Sequence, residues 1–165
     1  MVSRTDLKLE IVQLILEEKY EKALKKLLEV LKKEPNNYQI KMLLFDIYYN
    51  MGNKNRAIDV AEEVSEQLLK EGFYDTVIGY LRKVTFYVKH PKLYRILFRA
   101  LVKRGLDYEA FKSLIDFVKF SAEKKEFIKE AFKFIEIIKD LCPIPALVKE
   151  AEKLERELPK ESPQV

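Results

Sequence analysis

The chain has one histidine, one cysteine, no tryptophan and only four glycines in 165 residues, and each scarcity removes a class of protein. One His and one Cys cannot supply the four ligands of a structural zinc site. No His/Glu pair stands at metalloprotease spacing, and no glycine-rich phosphate loop occurs. No metal, no cofactor and no enzymatic activity are therefore expected. Cys142 has no second cysteine to pair with, which points to a reducing, cytoplasmic compartment. Long apolar runs are also missing. Nowhere do about 18 apolar residues run uncharged, so no helix is expected to span a membrane. Lys8, Glu10 and Gln13 interrupt the N-terminal apolar residues, unlike a signal peptide.

What is abundant is charge, at 35% of the chain and mostly Lys and Glu, a balance suited to long helices and leaning towards a heat-adapted source. Residues 1–70 hold 12 basic and 12 acidic groups, residues 71–122 hold 10 and 5, and residues 123–165 hold 9 and 10. The net charge of +4 thus originates in the middle third. Apolar residues recur at helical spacing almost throughout, with no competing run of alternating β-branched residues, so the class is all-α.

Breakers divide the chain at Pro35-Asn36-Asn37, Gly52-Asn53, Gly72, His90-Pro91, Gly105, Ser121 and Cys142-Pro143-Ile144-Pro145. Asn37, Asn53, Asp107 and Ser121 are suited to cap the following helix, and the glycines to end the preceding one. Nine helices are predicted, at about 4–17, 20–33, 38–51, 54–70, 73–89, 92–104, 107–120, 124–141 and 145–158. Their short connections force antiparallel neighbours.

Self-similarity then selects a repeat architecture. Ala23 and Ala57 are 34 residues apart; Tyr20, Ala23, Leu24, Leu27, Val30 and Pro35 precede a second set, Leu44, Tyr48, Gly52, Ala57 and Ile58. Tyr94, Leu97, Leu101, Gly105, Ala110 and Phe111 form a third. This pattern resembles the tetratricopeptide repeat, in which a small residue lets paired helices approach closely. The resemblance implies a tetratricopeptide-like α-solenoid of about nine antiparallel helices. The first repeat departs from it, with Glu10 where the leucine belongs and Ile11 where a small residue belongs. An extra helix at 73–89 separates Ala57 from Ala110. One domain, 1–158, is expected, with units of about 4–37, 38–89 and 92–141 and a cap at 145–158 whose stripe is Leu147, Ala151, Leu154 and Leu158. Residues 159–165 lack apolar spacing and are expected to form a disordered tail.

Two lone chemical groups have bland alternatives. His90 reads as a helix-junction residue or an acid/base group without an oriented partner. Cys142, at a helix C-terminus, lacks the dipole that would favour a thiolate. The aromatics Phe73, Tyr74, Tyr80, Phe86, Tyr87, Tyr94 and Phe98 read as core by spacing, or as a stacking platform beside the basic segment.

The surface feature that stands out is a stripe. Lys92, Arg95, Arg99 and Lys103 fall at steps of three, four and four in a helix without an acidic residue. The family resemblance implies that this helix lines a ligand groove, with Gln39, Met42, Asp46, Tyr49 and Asn50 on the equivalent face of helix 38–51. The expected partner is an acidic or amphipathic segment of another protein, and the bland alternative is a solvated face. Arg82, Lys83 and Lys89 keep a second function open, nucleic-acid binding by the middle third. Chaperone-tail binding is not supported, because Lys8, Val12 and Leu43 stand where the family's carboxylate clamp needs Lys, Asn and Asn. No membrane partner is expected; self-association through helix 4–17 is a further expectation.

Overall fold

The computed structural model describes residues 3–160. Its helices are α1 (Arg4–Leu16), α2 (Tyr20–Lys33), α3 (Tyr38–Lys41), α4 (Leu43–Asn50), α5 (Lys54–Lys70), α6 (Tyr74–Tyr87), α7 (Pro91–Lys103), α8 (Asp107–Lys124), α9 (Ile128–Leu141) and α10 (Pro145–Glu157). No strand occurs among the described residues. The predicted helix 38–51 is split at Met42 only by a tightened turn. Met42 keeps right-handed dihedrals, and Phe45 N–H bonds back three residues to its carbonyl at 3.3 Å. The chain divides into two compact units, Met1–Gln67 and Leu68–Val165.

In the first unit, α1 and α2 form a hairpin against α4. Ala23 and Ala57 are fully buried, as their role at close helix crossings requires. Ile11 is fully buried too, so the larger side chain is accommodated inside the hairpin rather than expelled. Lys26 meets Glu10 at 2.8 Å across the α1–α2 pair, and Lys41 meets Glu63 at 2.8 Å.

In the second unit, α7 packs on α6 and α8, while α10 covers both α8 and α9. The core centres on the fully buried Phe117. Its ring lies 5.0 Å from Tyr94, 5.1 Å from Phe134 and 6.0 Å from Phe127. The α10 stripe is buried as expected at Leu147, Ala151, Leu154 and Leu158. Two ion pairs tie this helix down, Lys119–Glu150 at 2.6 Å and Lys139–Glu155 at 3.3 Å.

The capping expectations divide evenly. Asn37 accepts from Ile40 N–H at 3.2 Å and Asn53 from Arg56 N–H at 3.1 Å. Asp107 instead lies inside the first turn of α8, after Leu106, where its charge still favours the helix dipole. Ser121 does not start a helix. It is buried within α8, because it falls four residues after Phe117 on the core face and is followed by the helix formers Ala122, Glu123 and Lys124. The break comes later, where Lys125 and Phe127 take left-handed dihedrals, with Phe127 held edge-on to His90 at 5.0 Å. Of the expected tail, Pro159 and Lys160 are exposed and outside any helix; 161–165 lie outside the described residues.

Candidate functional site

His90 starts the candidate helix α7. Its Nδ1 accepts from Lys92 N–H at 3.2 Å, which satisfies one free donor, and Pro91 supplies the preset first turn. The lone histidine is thus used as a cap, with an unprotonated Nδ1 as acceptor. Along α7, Leu93, Ile96, Leu97, Ala100 and Leu101 are buried, whereas Lys92, Arg95, Arg99 and Lys103 are all exposed. Among the described residues, no carboxylate lies within ion-pair distance of Lys92, Arg95 or Lys103. Beyond the helix, Arg104 is paired with Asp75 at 2.8 Å.

In the first unit, the other candidate residues are less uniformly accessible. Gln39 and Asn50 are exposed, while Met42, Asp46 and Tyr49 are half-buried. Asn50 donates to the Asp46 carbonyl at 2.7 Å, and Tyr49 stacks on Phe45 at 5.7 Å. These contacts order the α4 surface, so that part of the hydrogen-bonding capacity expected there is spent within the helix.

The aromatics of the middle segment separate by burial. Tyr80 and Tyr94 are buried, Tyr74 and Phe98 are half-buried, but Phe73, Phe86 and Tyr87 are exposed. Phe86 is 76% exposed, with Tyr87 edge-on to it at 5.2 Å. Phe86 and Tyr108 border a cleft of about 480 Å³ between α6 and α8. Sequence reading missed this concavity, since its walls come from helices separated by the whole of α7. Tyr94 lies in its floor, where desolvation pushes the phenol up to about 12.

Cys142 is half-buried at the end of α9, its Sγ 3.7 Å from the Ile144 carbonyl. Among the described residues, no cluster of three or more His, Cys, Asp or Glu side chains could hold a metal ion, and no helix is long and apolar enough to cross a membrane.

Consecutive antiparallel helices with buried alanines at their crossings define an all-α helical-hairpin repeat. The tetratricopeptide repeat family model matches residues 14–84, and over that stretch the chain is similar to this family. No curated protein and no solved structure matches it. Tetratricopeptide repeats generally mediate protein–protein interaction.

Proposed function

We propose that the chain is a non-catalytic interaction module, working in the cytoplasm, whose α7 stripe receives an acidic segment of another protein. One observation carries this reading: Lys92, Arg95, Arg99 and Lys103 are exposed together on a helix that contains no acidic residue. Four cations on one side attract a carboxylate-bearing partner and accelerate its encounter. Each adds little to folding, since exposed charge pairs contribute at most about 1 kcal/mol. Gln39, Met42, Asp46, Tyr49 and Asn50 are proposed as a second contact surface on α3–α4, to be tested by its own substitutions.

The test is the double reversal Lys92→Glu with Arg95→Glu, used in affinity purification from native lysate, with circular dichroism as the folding control. Loss of the wild-type partners from a folded variant supports the stripe. Equal recovery makes it a solvated face. A nucleic-acid function has specific support in Arg82 and Lys83 on α6 and in Lys89 just after it. It predicts binding to random single-stranded RNA that falls steeply with salt. A protein-binding stripe predicts little RNA binding at either of two salt concentrations.

A further inference from the structure

The cleft between α6 and α8 is on the side of α7 opposite the stripe. At about 100° per residue, Tyr94, Leu97 and Leu101 fall roughly half a turn around α7 from Lys92, Arg95, Arg99 and Lys103. These three residues contribute the cleft's floor. Its polar interior is already satisfied: Thr85 Oγ1 donates to the Leu81 carbonyl and Ser113 Oγ to the Ala110 carbonyl, both at 2.6 Å. What the cleft offers inside is therefore mainly apolar surface. At its edge stand the largely exposed rings of Phe86 (76%) and Tyr108 (53%), which a folded chain gains nothing by presenting to water.

Charge is divided between the two rims. The rim on the α6 side carries Arg82 on the helix and Lys89 just past its end, and no acid. The α8 rim carries Glu109 and Asp116, with Lys112 held to Asp116 at 3.3 Å. A polyphosphate strand laid in this cleft would bring its charge against both carboxylates. An amphipathic helix suits it better, because the opposite flanks of such a helix can differ in sign while its apolar residues at i, i+3 and i+7 point down together. The volume is within the range of sites that hold a few side chains.

We propose that this cleft is a second docking site, taking an amphipathic helix of a partner protein with carboxylates on the flank facing Arg82 and Lys89 and cations on the flank facing Glu109 and Asp116. Phe86 and Tyr108 close over its apolar anchors. The site is independent of the stripe, from which α7 separates it.

The test uses three fluorescent helical peptides and anisotropy titration. The first has Leu anchors at i, i+3 and i+7, Glu on one flank and Lys on the other; the second has Lys on both flanks; the third has Ser in place of the anchors. The first should bind at least about ten-fold tighter than the second, and the third should not bind. Arg82→Glu should abolish that preference, and Phe86→Ala should weaken binding at least about ten-fold, both in proteins with unchanged circular dichroism. Lys92→Glu with Arg95→Glu should leave the first peptide's affinity unchanged. Equal affinity for the first two peptides overturns the proposal, as does binding lost in the stripe variant but kept in Arg82→Glu. An oligo-uridine probe that binds with steep salt dependence and is lost in Phe86→Ala would make the cleft a nucleic-acid site instead.

Discussion

The α1–α2 and α7–α8 turns close with the same pair of hydrogen bonds but are turned by different residues. In the first, Glu18 N–H bonds the Ile15 carbonyl at 2.9 Å and Lys19 N–H the Leu14 carbonyl at 2.8 Å. In the second, Gly105 N–H bonds the Val102 carbonyl at 3.0 Å and Leu106 N–H the Leu101 carbonyl at 2.9 Å. Both turning residues are left-handed, with φ of 60° at Glu18 and 79° at Gly105. The backbone path is thus set by the hairpin, and the residue decides only how much strain it stores. The helices entering these turns differ as well. α7 buries seven of its residues, whereas Ile11 is the fully buried side chain described in α1, which exposes Leu9 and Leu16.

The largest expected effects probe that difference in burial. Leu101→Ala and Ile11→Ala each remove a side chain that is at most 1% exposed, so each should destabilise by about 2–5 kcal/mol in urea unfolding. Leu101 should fall at the upper end, because α6 and α8 hold α7 from two sides and resist collapse into the cavity. Ile11 should fall at the lower end, since a helix anchored by few side chains can shift to fill the gap. Equal losses would show that the α1–α2 hairpin is as firmly packed as α7.

Substitutions at the turns come next. A Cβ at Gly105 meets nothing within 4 Å, so Gly105→Ala isolates the left-handed penalty, about 1–2 kcal/mol. Glu18→Gly should do the reverse and stabilise by up to about 1 kcal/mol, the relieved strain less the added flexibility of the unfolded chain. A Glu18→Gly protein that melts no higher than wild type would mean that the first turn is not strained.

These contrasts also explain which parts of the fold were legible in the sequence. Helix punctuation by glycine and by Pro91 or Pro145 has a local cause, and the corresponding boundaries were found to within about a residue. Ser121 misled because a capping residue and a buried small residue look alike until the core face is known. The break at Lys125 and Phe127 has no glycine to announce it; it depends on Phe127 reaching His90 and Phe117. Accessibility of the α7 stripe followed from spacing alone. The cleft did not, because Phe86 and Tyr108 come together only through the packing of α6 and α8 on α7.

The smallest effect at neutral pH should become visible only in alkali. Tyr94 is buried in α7, and desolvation, with Asp116 adding to it and a Thr85 hydrogen bond opposing it, raises its phenol from 10.0 to about 12. α1 contains no tyrosine, so no such contribution arises in that helix. Below the unfolded value both states keep the proton and the residue's contribution is fully present. Between about 10 and 12 the unfolded chain releases the proton while the folded one holds it, so the unfolded state binds fewer protons and stability falls as pH rises. Tyr94→Phe removes that one term while leaving the other tyrosines and the lysines to titrate in both proteins. The difference in urea midpoint between wild type and Tyr94→Phe should therefore be nearly constant from pH 7 to 9 and shift against the wild type from pH 10 to 11.5. A difference that stays flat across that interval would mean the phenol is solvated in the cleft floor, and that the apolar seat proposed for a partner helix is wet.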